Sequence, residues 1–131
     1  MSRISREEFI SNNSGYSAPA IVAEPYEITP ISTLGNGLYK VQGKISDVRV
    51  RLSKTKPNLM IHEANLRDKN GSVRCIWFQK PVIGRIDKTK NYVFFGKVET
   101  KQGVITLVDP KFTPSDEYIR WKKIYDKTVV R

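Results

Sequence analysis

The sequence predicts an all-β fold in which five strands close into one small barrel with short flanking helices. Between Leu38 and Asp109 the chain holds five short runs of alternating or continuous apolar residues, each ended by turn residues. The same stretch carries fifteen of the 23 lysine and arginine side chains. A length of 131 residues with 39% apolar content supplies enough apolar side chains for one core and not for two.

The first strand is expected at about residues 38–52. Its apolar residues change phase between Ile45 and Val48. Because side chains alternate strictly along a strand, a change of phase indicates a β-bulge, which we place at Ser46 or Asp47. Such a bulge would let one long strand curl around a closed barrel.

Four further strands follow from the same alternation, each bounded by turn residues. In the second strand, Met60, Ala64 and Leu66 are expected to face inwards. A turn ending at Gly71 joins the second strand to the third, and Pro110 is expected to end the fifth. These strands are expected at about residues 58–67, 72–78, 91–99 and 104–109.

The segments on either side of the barrel are expected to be short extensions. Ser5 and Glu8 have the spacing of a capping box, which predicts a short N-terminal helix. Residues 12–34 are expected to form a linker and an extended lead-in. Ser115 is expected to cap a C-terminal helix that ends near Lys123. The predicted domains are an N-terminal helix and linker (1–25), a barrel (26–112) and a C-terminal helical tail (113–131).

The predicted order of three strands, a short helical connection and two more strands is the topology of the oligonucleotide-binding (OB) fold. The chain has no G-x-x-x-x-G-K-[ST] phosphate-binding loop and no carboxylates with the spacing of a metal or glycosidase site. Cys75 and His62 are each the only residue of their kind, which argues against a cysteine-based zinc site or a histidine-based catalytic triad. We therefore expect a binding protein with no cofactor and no catalytic activity.

The formal net charge of +10 favours a polyanionic partner. Residues 35–109 carry fifteen basic and six acidic side chains, whereas residues 1–34 carry two and four. The excess charge therefore belongs to the barrel. A chain with no run of 18 apolar residues, no signal-peptide core and an unpaired cysteine is expected in a reducing intracellular setting, the cytoplasm or the nucleoid.

Binding to single-stranded nucleic acid requires flat side chains that stack on bases and a cationic groove that follows the phosphates. Phe78 is the first stacking candidate, because it shares the outward phase of Arg74 in the third strand. Arg49 and Arg51 alternate with apolar residues and are expected to point outwards, and two lysines continue this row in the next loop. The candidate nucleic-acid-binding residues are Arg49, Arg51, Lys54, Lys56, Arg74, Phe78, Lys80, Arg85, Phe94 and Lys97.

Several stretches resemble the OB-type wedge domain of the RecG branched-DNA helicase. The resemblance implies a wedge that splits a DNA junction by stacking aromatic side chains on bases at the fork, as in DNA replication, recombination and repair. The family's first wedge aromatic matches Phe78, whereas Val82 stands at the place of the second. The chain lacks the helicase motor motifs, so it would be a fragment or a free-standing barrel. The stretches that carry the resemblance are residues 26–31, 39–45, 66–73, 77–79, 95–98 and 108–112.

Single-stranded or junction DNA is the partner expected from this pattern, and two alternatives remain open. An RNA-binding barrel is the first, because no residue visibly reads a 2′-hydroxyl. The second is an OB barrel that serves as a protein-docking subunit of a larger nucleoprotein assembly. The N-terminal segment or the C-terminal helix with Trp121 would then contact the partner protein.

Overall fold

The computed structural model describes residues 3–24, 26–78 and 83–129. Its strands close into a barrel in the spatial order first, second, third, fifth, fourth, and only the third and fifth strands pair in parallel. This arrangement is the OB fold that the sequence predicts. The strands are β1 (Gly37–Leu52), β2 (Met60–Arg67), β3 (Ser72–Phe78), β4 (Tyr92–Lys101) and β5 (Val104–Pro114), and the helices are α1 (Arg6–Asn12), α2 (Ser17–Val22) and α3 (Ser115–Thr128).

The bulge predicted in β1 is confirmed. The register between β1 and β2 shifts between Ser46 and Arg49, and Asp47 has a φ of 53°. The Asp47 carboxylate accepts a hydrogen bond of 3.0 Å from the side-chain amide of Asn65 in β2. Residues 37–43 pair with β4 and the rest of β1 pairs with β2, so this one strand closes the barrel on both sides.

Strand β5 continues past Pro110 to Pro114, which corrects the prediction that Pro110 ends it. A register shift between β4 and β5 leaves Asp109 and Pro110 opposite Gly96, and Asp109 has a φ of 46°. A proline is tolerated at such a bulge because the position needs no ladder N–H. The Pro110 carbonyl also accepts a hydrogen bond of 3.0 Å from the indole N–H of Trp77.

The barrel interior follows the predicted alternation, with one correction. Met60 is 39% exposed although it lies in the inward phase of β2. Its cross-strand partner Leu52 and the nearby Val50 are 63% and 51% exposed. The ends of β1 and β2 extend beyond the barrel, where their inward phase meets no core. The buried core includes Val41, Ile45, Ala64, Leu66, Val73, Cys75, Trp77, Phe94, Val98 and Leu107.

The helices differ in part from their predicted positions. Ser5 caps α1 as predicted, because its hydroxyl accepts the backbone N–H of Glu8 at 3.1 Å. Helix α2 replaces part of the predicted linker, because burial of its apolar residues outweighs the turn-forming composition of this segment. Pro19 lies in the first turn of α2, where proline is tolerated. Helix α3 reaches Thr128, and Ser115 does not cap it; the Ser115 hydroxyl accepts a hydrogen bond of 2.8 Å from Gln42.

The three helices pack together against one side of the barrel. Phe9 of α1 makes edge-to-face contacts with Trp121 and Tyr125 of α3, with ring centroids 6.2 and 5.2 Å apart. Val93, on the outer face of β4, is fully buried in the same cluster. The helices therefore cover the side of the barrel formed by β4 and its neighbours.

Lys40 lies beneath this helical layer and is only 1% exposed. Its ammonium group donates hydrogen bonds to the Glu24 carbonyl at 3.1 Å and to the Tyr118 hydroxyl at 3.4 Å. The nitrogen also lies 5.3 Å from the centre of the Tyr118 ring. Burial, with repulsion from Lys122, lowers the pKa of Lys40 to about 8.

Lys40→Met should change how stability depends on pH. Unfolding returns this lysine to an ordinary pKa of about 10.4, so the unfolded chain binds the proton more tightly. Between pH 7 and 9.5 the wild-type protein should gain about 1–2 kcal/mol of stability relative to the variant. Urea unfolding at several pH values measures this difference, and parallel curves for the two proteins would contradict it.

Candidate nucleic-acid interface

The face opposite the helices is open. It is formed by the outward side chains of β2, β3 and the second half of β1. Strand register places Ile61 of β2 between Arg51 of β1 and Phe78 of β3. In the next row, Glu63 of β2 lies beside Ile76 of β3. The face therefore combines apolar, aromatic and charged side chains in adjacent rows.

A groove of about 960 Å³ runs across this face. Its floor contains Ile61 and Ile76, which are 7% and 5% exposed, together with the partly buried ring of Phe78. Residues of the β1–β2 loop (53–59) form one wall, and the β4–β5 turn (100–102) forms the other. The two loops thus enclose an apolar floor with one aromatic ring.

The structure brings half of the predicted site residues together at this groove. Arg49 lines an adjoining cavity of about 410 Å³, to which Glu63 and Arg74 also contribute. The row from Arg49 to the loop lysines thus follows one edge of the open face, as alternation along β1 predicts. The predicted residues that line the groove are Arg51, Lys54, Lys56, Arg74 and Phe78.

Phe94 is a correction. Its side chain is fully buried, with its ring 6.5 Å from that of Trp77 and 5.8 Å from that of Phe112, so no base can stack on it. The outward aromatic of this pair is Phe95, which stacks on Tyr26 with ring centroids 6.0 Å apart. Phe95 belongs to the helix-covered side of the barrel, away from the groove.

Arg85 and Lys97 do not line the groove. Arg85 is exposed in the short 3-10 turn Ile83–Arg85, and Lys97 forms a 3.0 Å salt bridge with Glu99 on the outside of β4. Lys80, like the wedge position Val82, lies outside the described residues.

The cations of the groove differ in how firmly they are held. Arg74 donates to the Thr106 hydroxyl at 3.0 Å and to the Lys101 carbonyl at 3.2 Å, which ties β3 to the β4–β5 turn. Arg51 is paired with Glu63 at 2.8 Å. Lys54 and Lys56 are exposed and form no salt bridge with any residue that the structure describes. The lysines are thus the cations most free to meet a phosphate.

Several groove residues are not among the candidates that the sequence predicts, although some of them follow a pattern that indicates their position. Ile76 shares the outward phase of Arg74 and Phe78, yet an isoleucine in a strand is ordinarily assigned to the core. Lys101 forms part of the groove because the closed topology carries the β4–β5 turn next to β3. The position of Glu63 beside Arg51 depends on the register between β1 and β2, which the sequence does not specify.

In the ranges that the structure describes, no group of three or more His, Cys, Asp or Glu side chains could hold a metal ion. No helix there is long and apolar enough to cross a membrane.

Comparisons with known proteins give structural matches. No family model matches the chain, and no curated protein sequence matches it. The chain is similar to RecG in a structure of RecG bound to a three-way DNA junction, with a TM-score of 0.58 and 25% identity over 72% of this chain. It spans 13% of the RecG chain. The S. pombe Stn1–Ten1 complex matches at a TM-score of 0.49 and 16% identity, over 69% of this chain and 71% of that one. The chain is therefore an OB-fold domain whose structure, like its sequence, resembles part of RecG.

Proposed function

We propose that this chain is a non-enzymatic domain that binds single-stranded or junction DNA in the groove between the β1–β2 loop and the β4–β5 turn. The observation that carries the proposal is the composition of that groove. An apolar floor with Phe78 offers a stacking surface, and Arg51, Lys54, Lys56, Arg74 and Lys101 surround it. Stacking platforms within cationic grooves are what single-strand binding requires.

The structural match to RecG supports DNA as the ligand, and it makes branched DNA one candidate form of that ligand. RecG is bound to a three-way DNA junction in the matching structure, and the matched part of RecG has the same fold as this chain. On this basis we place the chain in the cytoplasm or nucleoid, in replication, recombination or repair of DNA. An RNA ligand is the alternative that the binding measurements below test.

A protein-docking role has one observation in its favour. Val50, Leu52 and Met60 form an exposed apolar patch on the side of the β1–β2 extension that faces away from the groove residues. Apolar patches of this kind mark contacts with other proteins when they are large. The dependence of affinity on salt concentration distinguishes the two roles. Affinity for nucleic acid falls steeply with salt through counterion release, whereas affinity for an apolar protein contact is far less sensitive.

Phe78→Ala should weaken binding of a single strand about ten- to hundredfold, because base–aromatic stacking is worth about 1–3 kcal/mol per base. Fluorescence anisotropy with a labelled oligonucleotide measures the change. Phe95→Ala, on the helix-covered side, is the matched control and should leave DNA affinity unchanged. Urea unfolding should show little destabilisation from Phe78→Ala. A variant that unfolds readily while its folded fraction binds normally would assign Phe78 to the core.

Lys54→Gln/Lys56→Gln should weaken binding of all sequences alike. Each lost phosphate contact lowers the slope of log affinity against log salt by about 0.7 for single strands, so the double variant should lose about 1.4. Lys88→Gln/Lys90→Gln removes the same charge from exposed lysines outside the groove and is the control. A slope unchanged by the groove variant would remove the β1–β2 loop from the binding site.

A forked DNA should bind more tightly than a single strand of equal length, by less than about tenfold, which is at most about 1.4 kcal/mol. Stacking of a base on Phe78 can offset the free energy that is lost when one base pair is unstacked at the fork. The described groove holds no second aromatic ring that could do the same. Parallel titrations with fork, single strand, duplex and the corresponding RNAs measure the order. Equal affinity for fork and single strand would leave a general single-strand binder, and tighter RNA binding would favour the RNA alternative.

A further inference from the structure

Glu63 is an unexpected residue at the centre of a groove for a polyanion. It is the one carboxylate among the described residues that line the groove. Its side chain is only 15% exposed, and it lines the groove together with the arginines at positions 51 and 74. A carboxylate here repels phosphates and offsets part of the positive charge. Its position therefore calls for a favourable contact with some other part of the ligand.

The contacts of Glu63 leave one of its two oxygens available. Both the Nε and the Nη2 atoms of Arg51 donate to Oε1, at 2.9 and 2.8 Å. No donor among the described residues is within hydrogen-bonding distance of Oε2. A carboxylate held in this way by a guanidinium has a fixed orientation. Glu63 thus presents one preorganised hydrogen-bond acceptor to the groove.

That acceptor lies within reach of a base stacked on Phe78. Ile61 is the direct cross-strand neighbour of Phe78, and Glu63 is two residues further along the same face of β2. Diagonal neighbours of this kind are about 7–8 Å apart, a distance that a long side chain spans. The ring of Phe78 would hold the plane of the base, and Glu63 would meet its edge.

A single carboxylate oxygen distinguishes bases by their hydrogen-bond donors. The exocyclic amino group of cytosine is a donor that Glu and Asp accept from in protein–DNA contacts. Thymine presents a carbonyl oxygen in the place of that amino group. A carboxylate oxygen facing that carbonyl would be repelled, and the one donor on this edge of thymine, N3–H, is flanked by two carbonyl oxygens that repel a carboxylate as well. The pocket is thus built to favour an amino-bearing base over thymine or uracil.

We propose that Glu63 selects the base that stacks on Phe78, by accepting a hydrogen bond from an exocyclic amino group, with cytosine the favoured pyrimidine. This inference rests on the proposed binding of single-stranded nucleic acid in the groove. Phosphate contacts carry no sequence information, so the lysines of the rim position the strand. Glu63 then supplies base preference in a site that otherwise accepts any sequence.

The test compares oligo(dC) with oligo(dT) of equal length, about 12 nucleotides, at pH 7.5. Cytosine and thymine have similar stacking areas. A difference in affinity between the two strands therefore reports the hydrogen-bonding groups on the edge of the base. The wild-type protein should bind oligo(dC) about five- to tenfold more tightly. Glu63→Gln should bind both strands more tightly, because Arg51 is released and a negative charge is lost. The amide both donates and accepts, so the preference should fall to within about twofold.

Glu99→Gln is the matched control. It removes the same charge from a carboxylate that does not line the groove and that pairs with Lys97 and with the groove residue Lys101, so it should change the affinity for both strands alike. It should leave the preference for oligo(dC) unchanged. The inference is overturned by equal wild-type affinities for the two strands, or by a preference that survives Glu63→Gln, and in both cases the proposed function stands. If neither strand binds, the proposed function fails and this inference fails with it.

Discussion

The long first strand, β1, is the constraint on which the rest of the structure depends. It pairs with β4 through residues 37–43 and with β2 from Lys44 onwards, and the bulge at Asp47 bends the strand within the part that pairs with β2. Gly43 is the last residue of β1 that pairs with β4, and a Cβ atom there would collide with the Arg67 carbonyl of β2. A larger residue there would force β1 and β2 apart. Closure of the barrel therefore rests on a short stretch of backbone.

The same division of β1 separates the two surfaces of the protein. Its first half carries Lys40 outwards under the helices, and its second half carries Arg49 and Arg51 outwards on the open face. The helices stabilise one side without restricting the other. The groove is therefore built on a rigid sheet, and the loop residues that surround it are held by strands on both sides. This arrangement suits a site that must orient a flexible polymer.

Patterns local to the sequence predicted most of the fold. Alternation and turn residues predict the five strands, and the change of phase between Ile45 and Val48 predicts the bulge. Alternation fixes relative phase only. It requires Phe94 and Phe95 to face opposite ways, yet which ring enters the core depends on the register with β1 and β5. Pro110 continues a strand for a similar reason, since the bulge that accommodates it is a property of two strands together.

The contact between Phe9 and the rings of α3 has a consequence for synthesis on the ribosome. Phe9 is translated early, but its partners Trp121 and Tyr125 follow more than one hundred residues later. A hydrogen bond of 2.8 Å from the Ile4 N–H to the Thr128 carbonyl extends the same dependence to the last turn of α3. Contacts of such long range form slowly. Phe9 therefore cannot reach these two partners until α3 has left the ribosome, and its apolar ring stays open to chaperones until then.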